Sequence, residues 1–133
     1  MLTRRSRRPL TEFRKRRRRH EDVLQKAVVS FLRLALPEGA VLFHIPNGGP
    51  QTDFQRMRLA LMGVLPGMPD LGLVWRGKPI FIELKAPKGV VSDTQYEVHT
   101  ALILAGAVVF VARSVDEVAA FLDQIMPLRG RVL

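Results

Sequence analysis

Two apolar runs, residues 71–75 and 80–85, are separated only by Arg76-Gly77-Lys78-Pro79. A connection this short, built on glycine and proline, folds the second run back on the first as an antiparallel hairpin. The neighbouring elements narrow the fold further. Pro87 and Gly89 close the second strand. Ser92 then opens a helix over 92–105 with Gln95 as its capping-box partner, and Gly106 stops it. Residues 107–111 are nearly all apolar, as in a strand buried on both faces. A helix of that length between two strands is a crossover, which makes strands 80–85 and 107–111 parallel. A hairpin and a crossover sharing one strand require a mixed sheet, so the class is α/β.

The remaining elements attach to that unit. Leu24, Ala27, Val28, Phe31 and Leu32 recur at three- and four-residue spacing, predicting an amphipathic helix over 20–35 that Pro37 and Gly39 end. Residues 41–45 suit a strand, broken by Pro46-Asn47-Gly48-Gly49-Pro50. A short helix over 53–62 comes next, with Asp53 as N-cap and Met57 and Met62 as core residues. Ser114 and Glu117 begin a last helix that buries Val118, Phe121, Leu122 and Ile125, and Pro127 ends it. Trp75 is expected to pack on the hairpin, and His99 to sit mid-helix at the surface. The expected organisation is a tail over 1–19, a folded body over 20–126 and a C-terminal tail over 127–133.

Charge is distributed as unevenly as structure. Residues 1–19 hold ten of the 21 Lys and Arg but one of the 12 acidic residues, so they carry the whole formal charge of +9. The body is neutral. Repulsion and missing apolar periodicity predict that the tail is disordered when free. One reading makes it a phosphate-binding arm that gains affinity by releasing counterions, through Arg14, Lys15, Arg16, Arg17, Arg18 and Arg19 among others. The other readings are a solubilising or targeting tail, or a start codon assigned too early. No apolar stretch succeeds it as in a secretory signal, and none is long enough to span a membrane. With no cysteine, any metal must be held by oxygen or imidazole, and a reducing cytoplasm is compatible with the chain.

The chemistry concentrates in Gly67-Met68-Pro69-Asp70 and, beyond the hairpin turn, Ile82-Glu83-Leu84-Lys85. Alternation along a strand puts Glu83 and Lys85 on one face and Ile82 and Leu84 on the other. A carboxylate and an ammonium in an otherwise apolar strand are costly to half-bury. The hairpin returns Asp70, at the start of its strand, beside the end of the next. Two carboxylates with a cation alongside suit a hard divalent ion such as Mg²⁺, and with it phosphodiester hydrolysis. The bland alternative is turn chemistry at Asp70 and a solvated ion pair on an edge strand. Glu21 lies on the buried side of the first helix, either as a third carboxylate or as an acid at the positive end of the helix. Gln95 serves its capping box or the site; His44 and His20 stay unassigned. Asn47 is a turn residue or a substrate contact.

Taken together, these motifs resemble the VRR-NUC domain, a branch of the PD-(D/E)XK nuclease superfamily. The resemblance rests on His20-Glu21, Pro46-Asn47-Gly48-Gly49, Gly67-Met68-Pro69-Asp70, Phe81-Ile82-Glu83-Leu84-Lys85 and Ser92-x-x-Gln95, in family order over residues 20–112. It implies a restriction-endonuclease-like core, with Asp70, Glu83, the Leu84 backbone carbonyl and Glu21 toward Mg²⁺ or Mn²⁺. Lys85 would be the catalytic lysine and Gln95 an active-site amide. Stand-alone members of phage type imply DNA as substrate, in some cases branched DNA, a homodimer, and a cytoplasmic setting in a bacterium or phage-infected host. The rival expectations are a DNA-binding protein on a decayed nuclease fold and a nuclease acting on RNA.

Overall fold

The computed structural model describes residues 8–46 and 51–130, with the side chains of residues 8–11 left aside. Its elements are α1 (Arg8–Ala35), β1 (Val41–His44), α2 (Asp53–Leu61), β2 (Leu71–Trp75), β3 (Lys78–Leu84), α3 (Asp93–Leu104), β4 (Val108–Ala112) and α4 (Val115–Asp123). The strands form one mixed sheet in the order β1-β2-β3-β4, with β1 and β3 each antiparallel to β2. The α/β class and the helices flanking a mixed sheet are as expected. The chain packs as two compact units, one made of residues 1–36, 84–89 and 112–133, the other of residues 37–83 and 90–111.

In the second unit the hairpin sets the register. Trp75 pairs with Lys78, so the connection is the two residues Arg76-Gly77, tighter than the four the sequence suggested. Both have positive φ, 48° and 75°, the requirement of a type I′ turn whose twist matches the strands. Arginine in that conformation is uncommon; its guanidinium stacks 4.7 Å from the Trp75 ring centroid. Pro79 faces Val74 one step beyond the closing pair, where an antiparallel ladder needs no N–H from it. Leu71, Leu73, Ile80 and Ile82 are fully buried. On the opposite face the Phe43 ring covers Gly72 and fills the space where a Cβ would stand.

Two helical expectations change. Thr52, not Asp53, caps α2, exchanging hydrogen bonds with Gln55 at 3.1 and 2.9 Å. None of α2 is buried, and Met57 and Met62 are 59% and 73% exposed instead of lying in the core. Apolar character alone cannot say whether anything covers a side chain.

In the first unit α1 begins at Arg8, twelve residues before the start inferred from its apolar stripe. Residues 8–19 are therefore part of the helix. Extending an established helix costs far less than nucleating one, and arginine and lysine are good helix formers. Pro9 lies in the first turn, where its missing N–H forfeits no bond. Val28, Leu32 and Ala35 bury the other end of α1, which packs on α4. The C-terminal segment is anchored as well. Arg129 donates its backbone N–H to the Ala35 carbonyl at 2.6 Å and its Nε–H to the Leu36 carbonyl at 2.9 Å, satisfying the end of α1. Among the described residues no helix is long and apolar enough to cross a membrane.

Candidate active site

Glu83 is the most buried charged side chain among the described residues. It is 2% exposed, on the strand face opposite buried Ile82. Gln95 donates from Nε2 to Glu83 Oε1 at 2.9 Å, and His99 Nε2 lies 3.6 Å from Glu83 Oε2. Gln95 and His99 are four residues apart on α3 and so share one helix face. The Gln95 Oε1 atom meanwhile accepts the Ser92 N–H at 3.0 Å, and Ser92 Oγ accepts the Gln95 N–H at 3.2 Å. The capping box and the contact with Glu83 thus belong to the same amide, one through its oxygen and the other through its nitrogen.

His99 is the residue that sequence reasoning missed. Expected at the surface, it is 7% exposed against Glu83. The available signal was its four-residue spacing from Gln95, beside the buried Val98.

Asp70 reaches the same place by strand register. Leu71 faces Ile82 in the last pair of the ladder; Asp70 immediately precedes Leu71 and Glu83 immediately follows Ile82, so both flank that pair. The Asp70 carbonyl is held by the Ile45 N–H at 2.8 Å and by His44 Nδ1, also at 2.8 Å, so His44 serves the backbone. The preceding turn is pressed close: at Gly67 (φ +93°) a Cβ would stand 2.7 Å from the Thr94 carbonyl oxygen.

In the first unit Lys85 is 8% exposed and donates its N–H to the Ala112 carbonyl at 3.0 Å. Glu21 Oε1 accepts the Ala86 N–H at 3.3 Å. With α1 starting at Arg8, Glu21 stands well inside the helix, which removes the reading of an acid at a helix N-terminus. It holds the backbone immediately after Lys85.

A family model described as the VRR-NUC domain matches residues 5–116. The chain belongs to the VRR-NUC family. That family is of the PD-(D/E)XK nuclease type. Two solved structures share the fold. One, described as a VRR_NUC domain protein, is 24% identical with a TM-score of 0.66, covering 80% of this chain and 88% of its own. The other, described as a VRR_NUC domain, is 23% identical with a TM-score of 0.55, covering 80% and 98%. No curated protein matches the chain. None of these similarities supports the homodimer expected from the sequence.

Among the described residues of this VRR-NUC domain, no three His, Asp or Glu side chains group so as to hold a metal ion. Of the basic residues expected to meet nucleic acid, Arg14, Lys15, Arg16, Arg18 and Arg19 are exposed on α1 and Arg17 is half-buried, its guanidinium 5.2 Å from the Phe13 ring centroid. Asn47 lies outside the described residues.

Proposed function

We propose that this nuclease-family protein is a divalent-metal-dependent endonuclease that hydrolyses DNA phosphodiester bonds through Asp70, Glu83 and Lys85. The observation that carries the reading is the Glu83 carboxylate. It is almost out of solvent against Gln95 and His99, and it follows Ile82, the strand partner of the Leu71 that Asp70 precedes. A buried carboxylate is costly unless its partners are fixed, and this one lies at a sheet position an apolar residue would fill more cheaply.

The donor chemistry fits the metal that such nucleases use. Asp70, Glu83 and the Leu84 carbonyl offer hard oxygens, and Mg²⁺ commonly takes one or two carboxylates while keeping several waters. When bound, the ion would acidify a water and neutralise charge on the phosphate oxygens. Gln95 and His99 fix the orientation of Glu83, so that its carboxylate is preorganised. Lys85, two residues along the same extended segment, supplies a fixed positive charge for the negative charge that builds on the phosphate. Glu21 holds the Ala86 amide, fixing the backbone that carries Lys85. The α1 arginines add sequence-independent phosphate affinity.

The test is cleavage of matched linear, flap, single-stranded and four-way-junction DNA, with RNA alongside, in Mg²⁺, Mn²⁺ and EDTA. Metal-dependent cutting of DNA is expected, lost in Asp70→Asn, Glu83→Gln and Lys85→Ala proteins that still melt cooperatively. Cutting that survives all three substitutions would refute the assignment. A preference among the branched substrates would define structure selectivity.

A further inference from the structure

Phe13, Arg16, Arg17 and His20 recur at helical spacing on the side of α1 that Leu24 and Val28 continue. Toward Ala35 this stripe is buried; toward the N-terminus it opens. There it forms one wall of a groove whose other wall is Ala86, Pro87, Lys88 and Gly89, with a volume of about 260 Å³. The second wall is pinned at three points. The Ala86 N–H is held by Glu21, the Gly89 N–H by the Ala86 carbonyl at 2.9 Å, and the Gly89 carbonyl by Arg113 Nη2 at 2.9 Å.

The groove has an apolar interior and a cationic rim. Phe13, at 52% exposed, faces Ala86, Pro87 and Gly89 across it, while Arg16, Arg17 and Lys88 stand around it with no carboxylate among the lining residues. Glu21, the nearby acid, is engaged with Ala86. A bare phosphate needs no aromatic wall. A membrane surface needs an extended apolar patch, not a slot. The volume falls below the roughly 300–1,000 Å³ typical of sites for whole small molecules. A planar base on an anionic backbone meets both chemistries at once.

We propose that this groove takes one unpaired nucleotide of a DNA strand, its base against Phe13 and its flanking phosphates on Arg16, Arg17 and Lys88. The site rests on the reading of DNA as substrate and deepens it: the groove selects DNA that offers an unstacked base.

The test is fluorescence anisotropy of the full-length protein with a short oligothymidine and with a duplex of equal length, in EDTA. Folding of each variant is checked by circular dichroism and melting. Phe13→Ala should weaken single-strand binding about tenfold or more and duplex binding much less, because stacking requires an exposed base face. Phe13→Trp should restore it. Lys88→Ala and Arg16→Ala should each flatten the slope of log affinity against log salt by about 0.7 on the single strand. Equal loss on both substrates, no loss at all, or equal competition by anionic lipid vesicles in wild type and Phe13→Ala would overturn the site. Since nothing is cut in EDTA, the two readings separate. A protein that cleaves DNA but is indifferent to Phe13 loses only the groove. One that needs Phe13 for single strands yet never cleaves loses only the nuclease assignment.

Discussion

Gln95 joins a helix cap to a buried carboxylate, so replacing it should cost more than a cap and should couple to Glu83. In Gln95→Ala two bonds disappear: Ser92 N–H to Gln95 Oε1 at 3.0 Å, and Gln95 Nε2–H to Glu83 Oε1 at 2.9 Å. Losing the reciprocal cap costs about 1 kcal/mol. Losing a hydrogen bond to a charged group costs about 1.5–3 kcal/mol, and at 2% exposure little water can replace the donor on Glu83. The sum is about 2.5–4 kcal/mol, which for a domain of this size lowers Tm by roughly 8–14 °C. Gln95→Glu separates the two roles. It keeps an oxygen for Ser92, so α3 stays capped, but sets a second carboxylate against Glu83. Without metal it should be at least as unstable as Gln95→Ala. Because a ligand stabilises whichever folded state it binds, Mn²⁺ should raise its Tm markedly. The assay is thermal melting by circular dichroism with and without Mn²⁺, with a double-mutant cycle against Glu83→Ala. A coupling of about 1 kcal/mol or more is expected. A Tm loss under about 3 °C with additive behaviour would refute the claim that Gln95 holds Glu83.

Other outcomes depend on the same geometry. His99→Ala removes a buried ring beside Glu83 and should cost about 2–3 kcal/mol in denaturant melts; an unchanged midpoint would mean that the ring is not packed there. Gly67→Ala should destabilise more than Gly72→Ala in parallel melts. At Gly67 the new Cβ meets the Thr94 backbone at 2.7 Å with φ at +93°, whereas at Gly72 it meets the end of the half-exposed Phe43 ring, which can turn aside. The reverse order would argue against the close packing of residues 67 and 94. Thr52→Ala should raise amide hydrogen exchange within α2 while leaving the global Tm within about 1 °C, because α2 buries nothing. A large global loss would mean that α2 is packed in solution.

What the sequence made legible was local or periodic. The hairpin and the crossover helix come from short connections and strand alternation, both fixed by backbone geometry. The Ser92–Gln95 box was legible for the same reason, since its partners are three residues apart. Gln95 itself stayed ambiguous because an amide has two ends, and only packing shows that each is used. His99 and the two methionines, Met57 and Met62, were misjudged in opposite directions. Periodicity reports that side chains share a face, but not whether that face is covered. The start of α1 was misplaced because charge density was read as disorder, while helix propagation depends on the neighbouring turn.

The helical form of residues 12–19 also makes their charge directional. A flexible chain could lay every cation along one strand of phosphates. A helix turns about 100° per residue and rises 1.5 Å, so residues 14–19 occupy about 9 Å of axis and point all the way round it. A single strand lying along one side can meet only some of them at a time. Arg16 and Arg17 line the groove against residues 86–89, and the cations on the other sides of the helix would be open to a second strand. If these residues meet phosphates as proposed, the arm would be less a reservoir of positive charge than a spacer between two backbones.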